Sequence, residues 1–544
     1  MNKRTFMLTI SALLFAACAT TGSSIDPIDR ISAKPLEAHV RWLASDNLEG
    51  RRIGEPGYLK SAEYVAKQFE QFGLEPGGTD DWLQPVPLVH YQLDVESPSL
   101  LIHWADGDQV LSYRDDYGMA PDKVRTTNSV RGELVYVGYG VHAPEFGYSD
   151  YDGIDVRGKI VVLFGGAPSM LPHAERAYYS SGRVKSREAV SRGAIASISL
   201  RSRRIQEQLP WRRYKQLVGK RPGTAWVNAD GAATDYFPEL RGSATISAAA
   251  ATALLQDAPI SFDAALEAAA ADRIASTPLG IEVSMSRRTT HEGFSSPNVI
   301  GIVRGTDPAL AGEYVVYTAH LDHIGRETAP ETKDDINNGA YDNAMGISIM
   351  LETAKVFAAD PPARSVMFIA LTGEESGLLG SDYFAHYPTV PIEKIVANIN
   401  VDMPLFLYPL ADLVAFGSEH SSLEGDVALA ARAEGFSLTP NPLPEENLFV
   451  RSDQYSFVRQ GVPSIFLVSG FTSLDPELDG EALFRDHLKN HYHKPSDDLS
   501  RPVDWPSAVR FTRSHIRIGY AVANATARPT WNDGDFFGER FAPK

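Results

Sequence analysis

Val315-Val316-Tyr317-Thr318-Ala319-His320-Leu321-Asp322-His323 is an apolar run that ends abruptly in ionisable residues. A short continuous apolar run suits a strand buried on both faces, as in a parallel sheet covered by helices. The form recurs downstream. Ser365 to Leu371 leads into Gly373-Glu374-Glu375-Ser376-Gly377, Ile395 to Val401 runs into Asp402-Met403, and Ser464 to Val468 is a further apolar run. Helical spacing fills the intervals, as over Ile347 to Phe357. Strands alternating with helices predict an α/β fold, a mostly parallel sheet flanked by helices. In open sheets of this kind ligands bind beyond the carboxyl ends of the strands. The His, Glu and Asp residues fall there.

Two further stretches carry ionisable residues: Gly339-Ala340-Tyr341-Asp342-Asn343-Ala344-Met345-Gly346 at the start of a helix, and His491-Tyr492-His493-Lys494-Pro495-Ser496-Asp497 near the C-terminus. Hydrophobic strands that end in His, Glu-Glu and Asp are poor choices for stability alone, because buried carboxylates repel one another unless cations neutralise them. Two divalent ions solve the problem, with a bridging Asp, one His per ion and one further carboxylate each. Imidazole with carboxylate favours zinc, with manganese or cobalt as alternative occupants. Cys18 is the single cysteine among 544 residues, which excludes an intrachain disulfide and a multi-cysteine metal site.

The pattern His320-x-Asp322, Tyr341-Asp342-Asn343, Gly-Glu374-Glu375-x-Gly, Asn-x-Asp402-Met and Tyr492-His493-x-Pro-x-Asp resembles the co-catalytic zinc exopeptidases of metallopeptidase family twenty-eight. That family includes bacterial leucyl aminopeptidases, aminopeptidase Y, glutamate carboxypeptidase and the transferrin receptor. Leu43 to Arg51 with Pro56-Gly57 resembles its N-terminal segment, and the likeness covers about 35–120 and 285–525. The resemblance implies a zinc exopeptidase fold and two Zn2+. His320 would hold one metal with Asp402, Asp342 would bridge, and Glu375 and His493 would complete the other site. It further implies Glu374 as general base, Asp322 as hydrogen-bond partner of the non-ligating nitrogen of His320, and Tyr492 as donor to the oxyanion. One departure is Met345, where the family often has Ser.

The chain starts with Lys3 and Arg4, continues with a largely apolar stretch from Phe6 to Ala17, and has small residues at its end. This reads as a secretory signal, too short for a spanning helix. Leu14-Phe15-Ala16-Ala17-Cys18 resembles a bacterial lipobox, with Phe15 departing from the usual aliphatic residue. The resemblance implies lipidation at Cys18 and a protein held at the periplasmic side of the cell envelope. Ordinary cleavage near Ala17-Cys18-Ala19 is the alternative, giving a soluble periplasmic or secreted protein. The formal charge of −18 argues against a general nucleic-acid binder. Membrane contact is thus expected through the lipid only.

The expected organisation is a signal over 1–17, a tether over 18–34, a first peptidase part over 35–125, an insertion over 126–283, the catalytic domain over 284–530 and a tail over 531–544. The insertion resembles a small β-rich protease-associated domain, through Val156 to Val161 and Arg187 to Ala194. Its stretch Arg183 to Arg221 contains 12 Lys or Arg against Glu188 and Glu207. A solvated face is the plain account; attraction for anionic lipid heads or acidic substrate tails is the other. His323, His487 and His491 read as surface or supporting groups, Asp334 and Asp335 as a solvated loop, and Asp453 as a plain structural residue or, by the resemblance, a pocket-lining one. The expected activity is removal of N-terminal residues from peptides. The alternatives are a carboxypeptidase or glutaminyl cyclase on the same fold, and a non-catalytic binding protein like the transferrin receptor.

Overall fold

The computed structural model describes residues 27–327, 333–446 and 448–543. Cys18, the signal segment and the tether up to residue 26 lie outside the described residues. The remaining part of the expected tether is not a linker. Pro27–Arg30 forms a 3-10 turn, and Ile28 and Ile31 are buried in the main core. Two isoleucines three residues apart give this segment apolar surface worth burying.

Helix α1 (Ala33–Leu43) buries Leu36, Val40 and Leu43, which their spacing of four and three residues places on one face. Helix α2 (Pro56–Phe72) starts on Pro56 and stops at Gly73, whose φ of 85° closes the last turn at no steric cost. The strands β1 (Leu83–Leu93), β2 (Ser99–Trp104), β3 (Thr127–Tyr136), β4 (Ile160–Phe164), β5 (Ala196–Leu200), β6 (Gly223–Trp226), β7 (Ser243–Ile246) and β8 (Thr277–Val303) follow. Next come β9 (Tyr314–His320), α3 (Met345–Ala359), β10 (Ser365–Leu371), α4 (Leu379–His386), β11 (Ile395–Val401), β12 (Asp412–Phe416), β13 (Ser464–Ser469) and α5 (Trp505–Asn524).

The main sheet has the order β6-β1-β8-β10-β9-β11-β13-β12. Its centre, β10-β9-β11-β13, is parallel, as the apolar runs predict. Alternate residues serve opposite faces. Val315, Tyr317 and Ala319 of β9 pack with residues of α1, α2, α3 and α5, while Tyr314 and Val316 join Phe384 of α4 and Phe457 on the other side.

The 27-residue strand β8 belongs to two sheets. Glu282–Ser286 pairs with β2 and β3, Thr289–Val299 with β1, and Val299–Val303 with β10. The second sheet runs β2-β8-β3-β4-β5-β7, parallel from β3 to β7. The inserted unit therefore spans about 94–288 rather than 126–283. It is a layered α/β unit, with the helices Ala248–Leu254 and Phe262–Ala270 closing its core, not a small β-rich one. The mixed polar and apolar run after Leu83 hid the change of sheet, because β1 and β2 read alike yet pair with different parts of β8.

Strand β6 leaves the insertion and joins the edge of the main sheet beside β1. Buried Asp382 on α4 holds it there. Its Oδ2 accepts from Trp226 Nε1 (2.8 Å) and Thr234 Oγ1 (3.1 Å), and its Oδ1 lies 3.0 Å from Arg459 Nη2. Asp382→Ala leaves the N–H of buried Trp226 and the half-buried Arg459 guanidinium without their acceptor. Leaving such a donor unsatisfied costs roughly 1–3 kcal/mol. Chemical denaturation should show a loss of that size, with a smaller one for Asp382→Asn; an unchanged midpoint would mean that the insertion is held by other contacts.

Candidate metal centre

The carboxyl ends of three neighbouring parallel strands supply most of the site. His320 is the last residue of β9, Glu374 and Glu375 form the turn after β10, and Asp402 follows β11. Asp342 lies in the irregular turn Ala340–Ala344 that feeds α3, and His493 in the loop beyond the helix Gly480–Asn490. Gly339 makes the turn possible: it has φ 59°, and a Cβ there would stand 2.2 Å from the Asp342 carbonyl oxygen.

These residues converge on Asp342. On one side His320 Nε2 lies 3.2 Å from Asp342 Oδ1 and 3.1 Å from Asp402 Oδ1. On the other, His493 Nε2 lies 3.2 Å from Asp342 Oδ2 and 2.9 Å from Glu375 Oε2. Two ligands held at about 2.0–2.1 Å by a tetrahedral ion stand roughly 3.3 Å apart. The observed spacings therefore fit two divalent ions that share Asp342. Donor atoms of His323, Asp342 and Glu375 also lie within 4.8 Å of one another. Tyr492 stacks on His493 with ring centroids 3.8 Å apart.

The supporting shell differs in part from expectation. His320 Nδ1 faces the backbone carbonyl of Asp322 at 3.1 Å, while the Asp322 carboxylate stands 4.0 Å away. That carboxylate instead accepts the backbone N–H groups of Glu374 (3.1 Å) and Glu375 (3.3 Å) and so shapes their turn. The predicted His-carboxylate bond is thus replaced by a contact with the backbone carbonyl of the same residue. His323 is not a surface group: it is buried, with Nδ1 2.7 Å from Glu375 Oε1. Its place, next to an already assigned Asp, gave no pattern by which to single it out. His487 is buried edge-on to Tyr341, and His491 faces Ser496 Oγ at 2.8 Å. Asp335 pairs with Arg326 at 2.9 Å.

Three more residues hold the ligands from behind. Ser452 Oγ donates to Asp402 Oδ2 at 2.5 Å and receives Asn400 Nδ2 at 2.7 Å, leaving Asp402 Oδ1 for His320. Asp497 accepts the backbone N–H groups of Tyr341 (3.0 Å) and Asp342 (3.1 Å). Fully buried Arg51 donates to the carbonyl oxygens of Leu321 (2.9 Å), Leu43 (2.5 Å), Asn338 (2.6 Å) and Gly339 (3.0 Å). It ties the loop after β9 to the loop that carries Asp342.

The electrostatics show what the cluster lacks. Burial alone would lower the His320 imidazole, but Asp402, Glu374 and Asp342 outweigh it and hold it well above its ordinary value. His493 is likewise carried, against its burial, to about 10 by Asp342 and Glu375. Burial pushes Glu374 well up, with Asp402, Glu375 and Asp453 adding to the effect and His320 opposing it. Buried Asp453 is itself raised to about 7, first by burial. The oxygens favour positive charge between them, which a divalent ion would supply.

Known proteins resemble this chain in sequence and in fold. The sequence matches Peptidase family M28 over residues 298–518. A probable zinc metalloprotease of Pyrenophora tritici-repentis is 26% identical over 261 residues, which are 43% of this chain and 58% of that protein. The chain thus spans less than two thirds of that relative. The probable lipoprotein aminopeptidase LpqL of Mycobacterium tuberculosis is 25% identical over 467 residues, 81% of this chain and 75% of its own. The solved structure of the aminopeptidase from Aneurinibacillus sp. strain AM-1 superposes with a TM-score of 0.53 at 18% identity, over 92% of this chain and 97% of that one, and shows a shared fold. The converging His, Asp and Glu side chains all lie within residues 298–518, the stretch that matches Peptidase family M28.

Proposed function

We propose that the protein is a metal-dependent aminopeptidase that hydrolyses N-terminal residues from peptides. One observation carries this: both oxygens of Asp342 face an imidazole at 3.2 Å, a carboxylate completes each side, and Glu374 stands beside them. A receptor-like binding protein has no use for the complete set, and a one-zinc cyclase needs no bridge. Support for zinc and for action at the N-terminus comes from the relatives, described as a probable zinc metalloprotease and a probable lipoprotein aminopeptidase.

When bound, two zinc ions supply Lewis acidity toward the scissile carbonyl and make water a stronger acid. His320, Asp342 and Asp402 would hold one, and Asp342, Glu375 and His493 the other. Glu374 takes a proton from the attacking water and delivers it to the leaving amine nitrogen. Burial and the neighbouring carboxylates raise its affinity for a proton; as a base it starts ionised, a state that cations bound beside it would favour. Tyr492 donates its O–H to the carbonyl oxygen as negative charge grows there. Burial beside Asp342, Glu375 and Glu374 keeps that phenol protonated. Asp322 and His323 fix the Glu374-Glu375 turn, and Ser452 and Asp497 fix the ligands opposite.

We also infer export and lipid attachment at Cys18. Among the described residues no helix is long and apolar enough to cross a membrane. In a bacterial host, Cys18→Ser should move the protein from the membrane to the soluble fraction; retention in the membrane fraction would count against lipidation.

Glu374→Gln should retain the zinc content of the wild type by elemental analysis while kcat falls roughly 10²–10⁴-fold. Undiminished kcat would remove Glu374 from the role of base. Chelation should abolish peptide hydrolysis and lower Tm, with both restored by zinc. Ions that bind only the folded state stabilise it by about 4 kcal/mol at a thousandfold excess over Kd. A chelated protein that melts like the untreated one would show that no ion neutralises the cluster.

A further inference from the structure

Arg51 and Arg52 are neighbours with opposite fates. Arg51 is spent on four backbone carbonyls. Arg52, in a bridge to His323, extends into a cavity of about 290 Å³ that reaches the metal centre at Glu375 and His323. Its nearest carboxylate partner, Glu55, stands 3.9 Å from Nε. Exposed pairs of this kind contribute roughly 0–1 kcal/mol and leave the guanidinium open to a better partner.

The facing wall comes from the inserted unit. Arg221, the last cation of its basic stretch, lines the same cavity just before β6. Register fixes it there: Gly223 lies opposite Tyr91 and Thr224 opposite His90 on β1, and Trp226 is bonded to Asp382. His90 completes the wall, stacked on Phe294 at 4.0 Å with its Nδ1 3.0 Å from Thr224 Oγ1. Among the described residues no carboxylate forms an ion pair with Arg221. Burial and the charge of Arg52 both work against its guanidinium, and Glu327 and Glu375 offset them only in part. Two cations that face one cavity repel each other until an anion lies between them.

We propose that Arg52 and Arg221 form a carboxylate subsite beside the metal centre, so that the protein favours peptides carrying a carboxylate close to the scissile bond. The subsite rests on the peptidase assignment for its substrate class. The carboxylate belongs either to an acidic side chain or to the free C-terminus of a short peptide. The cavity lies at the low end of the usual range for ligand pockets, about 300–1,000 Å³, which suits one or two residues and not a long chain. Guanidinium groups are the natural choice because they grip a carboxylate in a planar, bidentate manner.

Binding to zinc-loaded Glu374→Gln protein tests this without turnover. Calorimetry would compare alanyl-alanine with alanyl-alaninamide, and glutamyl-alaninamide with glutaminyl-alaninamide. In at least one pair the carboxylate member should bind about tenfold more tightly, and that pair identifies the source. Adding Arg221→Gln or Arg52→Gln should bring the ratio close to one, and Arg221→Lys should restore part of it. Equal affinities in both pairs would overturn the subsite. So would an advantage that survives both glutamine variants, as expected of a carboxylate drawn to the metals themselves. Discrimination in binding with no hydrolysis by zinc-loaded wild type would overturn the peptidase assignment and leave the subsite standing. Hydrolysis with equal affinities would do the reverse.

Discussion

Negative charge gathered in a small buried volume is the constraint on which this structure is organised. Asp342, Glu375 and Asp402 are brought within about 3 Å of imidazole nitrogens, with Glu374 beside them and Asp322, Asp453 and Asp497 fully buried close by. No apolar packing compensates for such a gathering. Two carboxylates outside the ligand set are therefore satisfied by the backbone, since Asp322 and Asp497 accept N–H groups of the ligand loops. Arg51 contributes a buried cation and still directs its N–H groups to carbonyls, so it braces the loops without neutralising any one ligand. The oxygens of Asp342 consequently face imidazole nitrogens on both sides, His320 on one and His493 on the other.

The fold was readable because the informative strands are buried on both faces. Continuous apolar runs at 315–319, 365–371, 395–401 and 464–468 fall within β9, β10, β11 and β13, and each of the first three releases its ionisable residue where the strand ends. The candidate ligands were legible through order and spacing, since Asp342, Glu375 and His493 are far apart in sequence yet belong to one recurring pattern. His323 was legible only as a surface or supporting group, because one histidine after a strand carries no pattern of its own; its contact with Glu375 is the supporting alternative. The direction of the Asp322 carboxylate escaped for another reason: it depends on how two loops pass each other, which side-chain identity does not encode.

The limits of the insertion were the least legible. Sheet membership depends on pairing register, and β1, β2 and β3 all pair with the same long strand. Nothing local marks the point at which the partner changes. The basic stretch shows the same limitation. Twelve cations within 39 residues look like one solvated face, but the fold separates them: Lys185 is buried among carbonyls, Arg183 pairs with Asp235, and Arg221 is carried to the edge of the main sheet.

The shared strand β8 also settles how the two parts of the molecule can move. Domains joined by loops rotate about a few soft dihedrals. Here the connection is an unbroken ribbon, hydrogen-bonded on the way out of one sheet and into the next, so reorientation must be taken up as twist and bend spread along many residues. The insertion is thus a cantilever and not a flap, and its displacement is small near the root and largest at its far edge. Strand β6 is a second attachment near that root, which makes the wall bearing Arg221 stiff. Adding or removing one residue within β8 would invert every side chain beyond it.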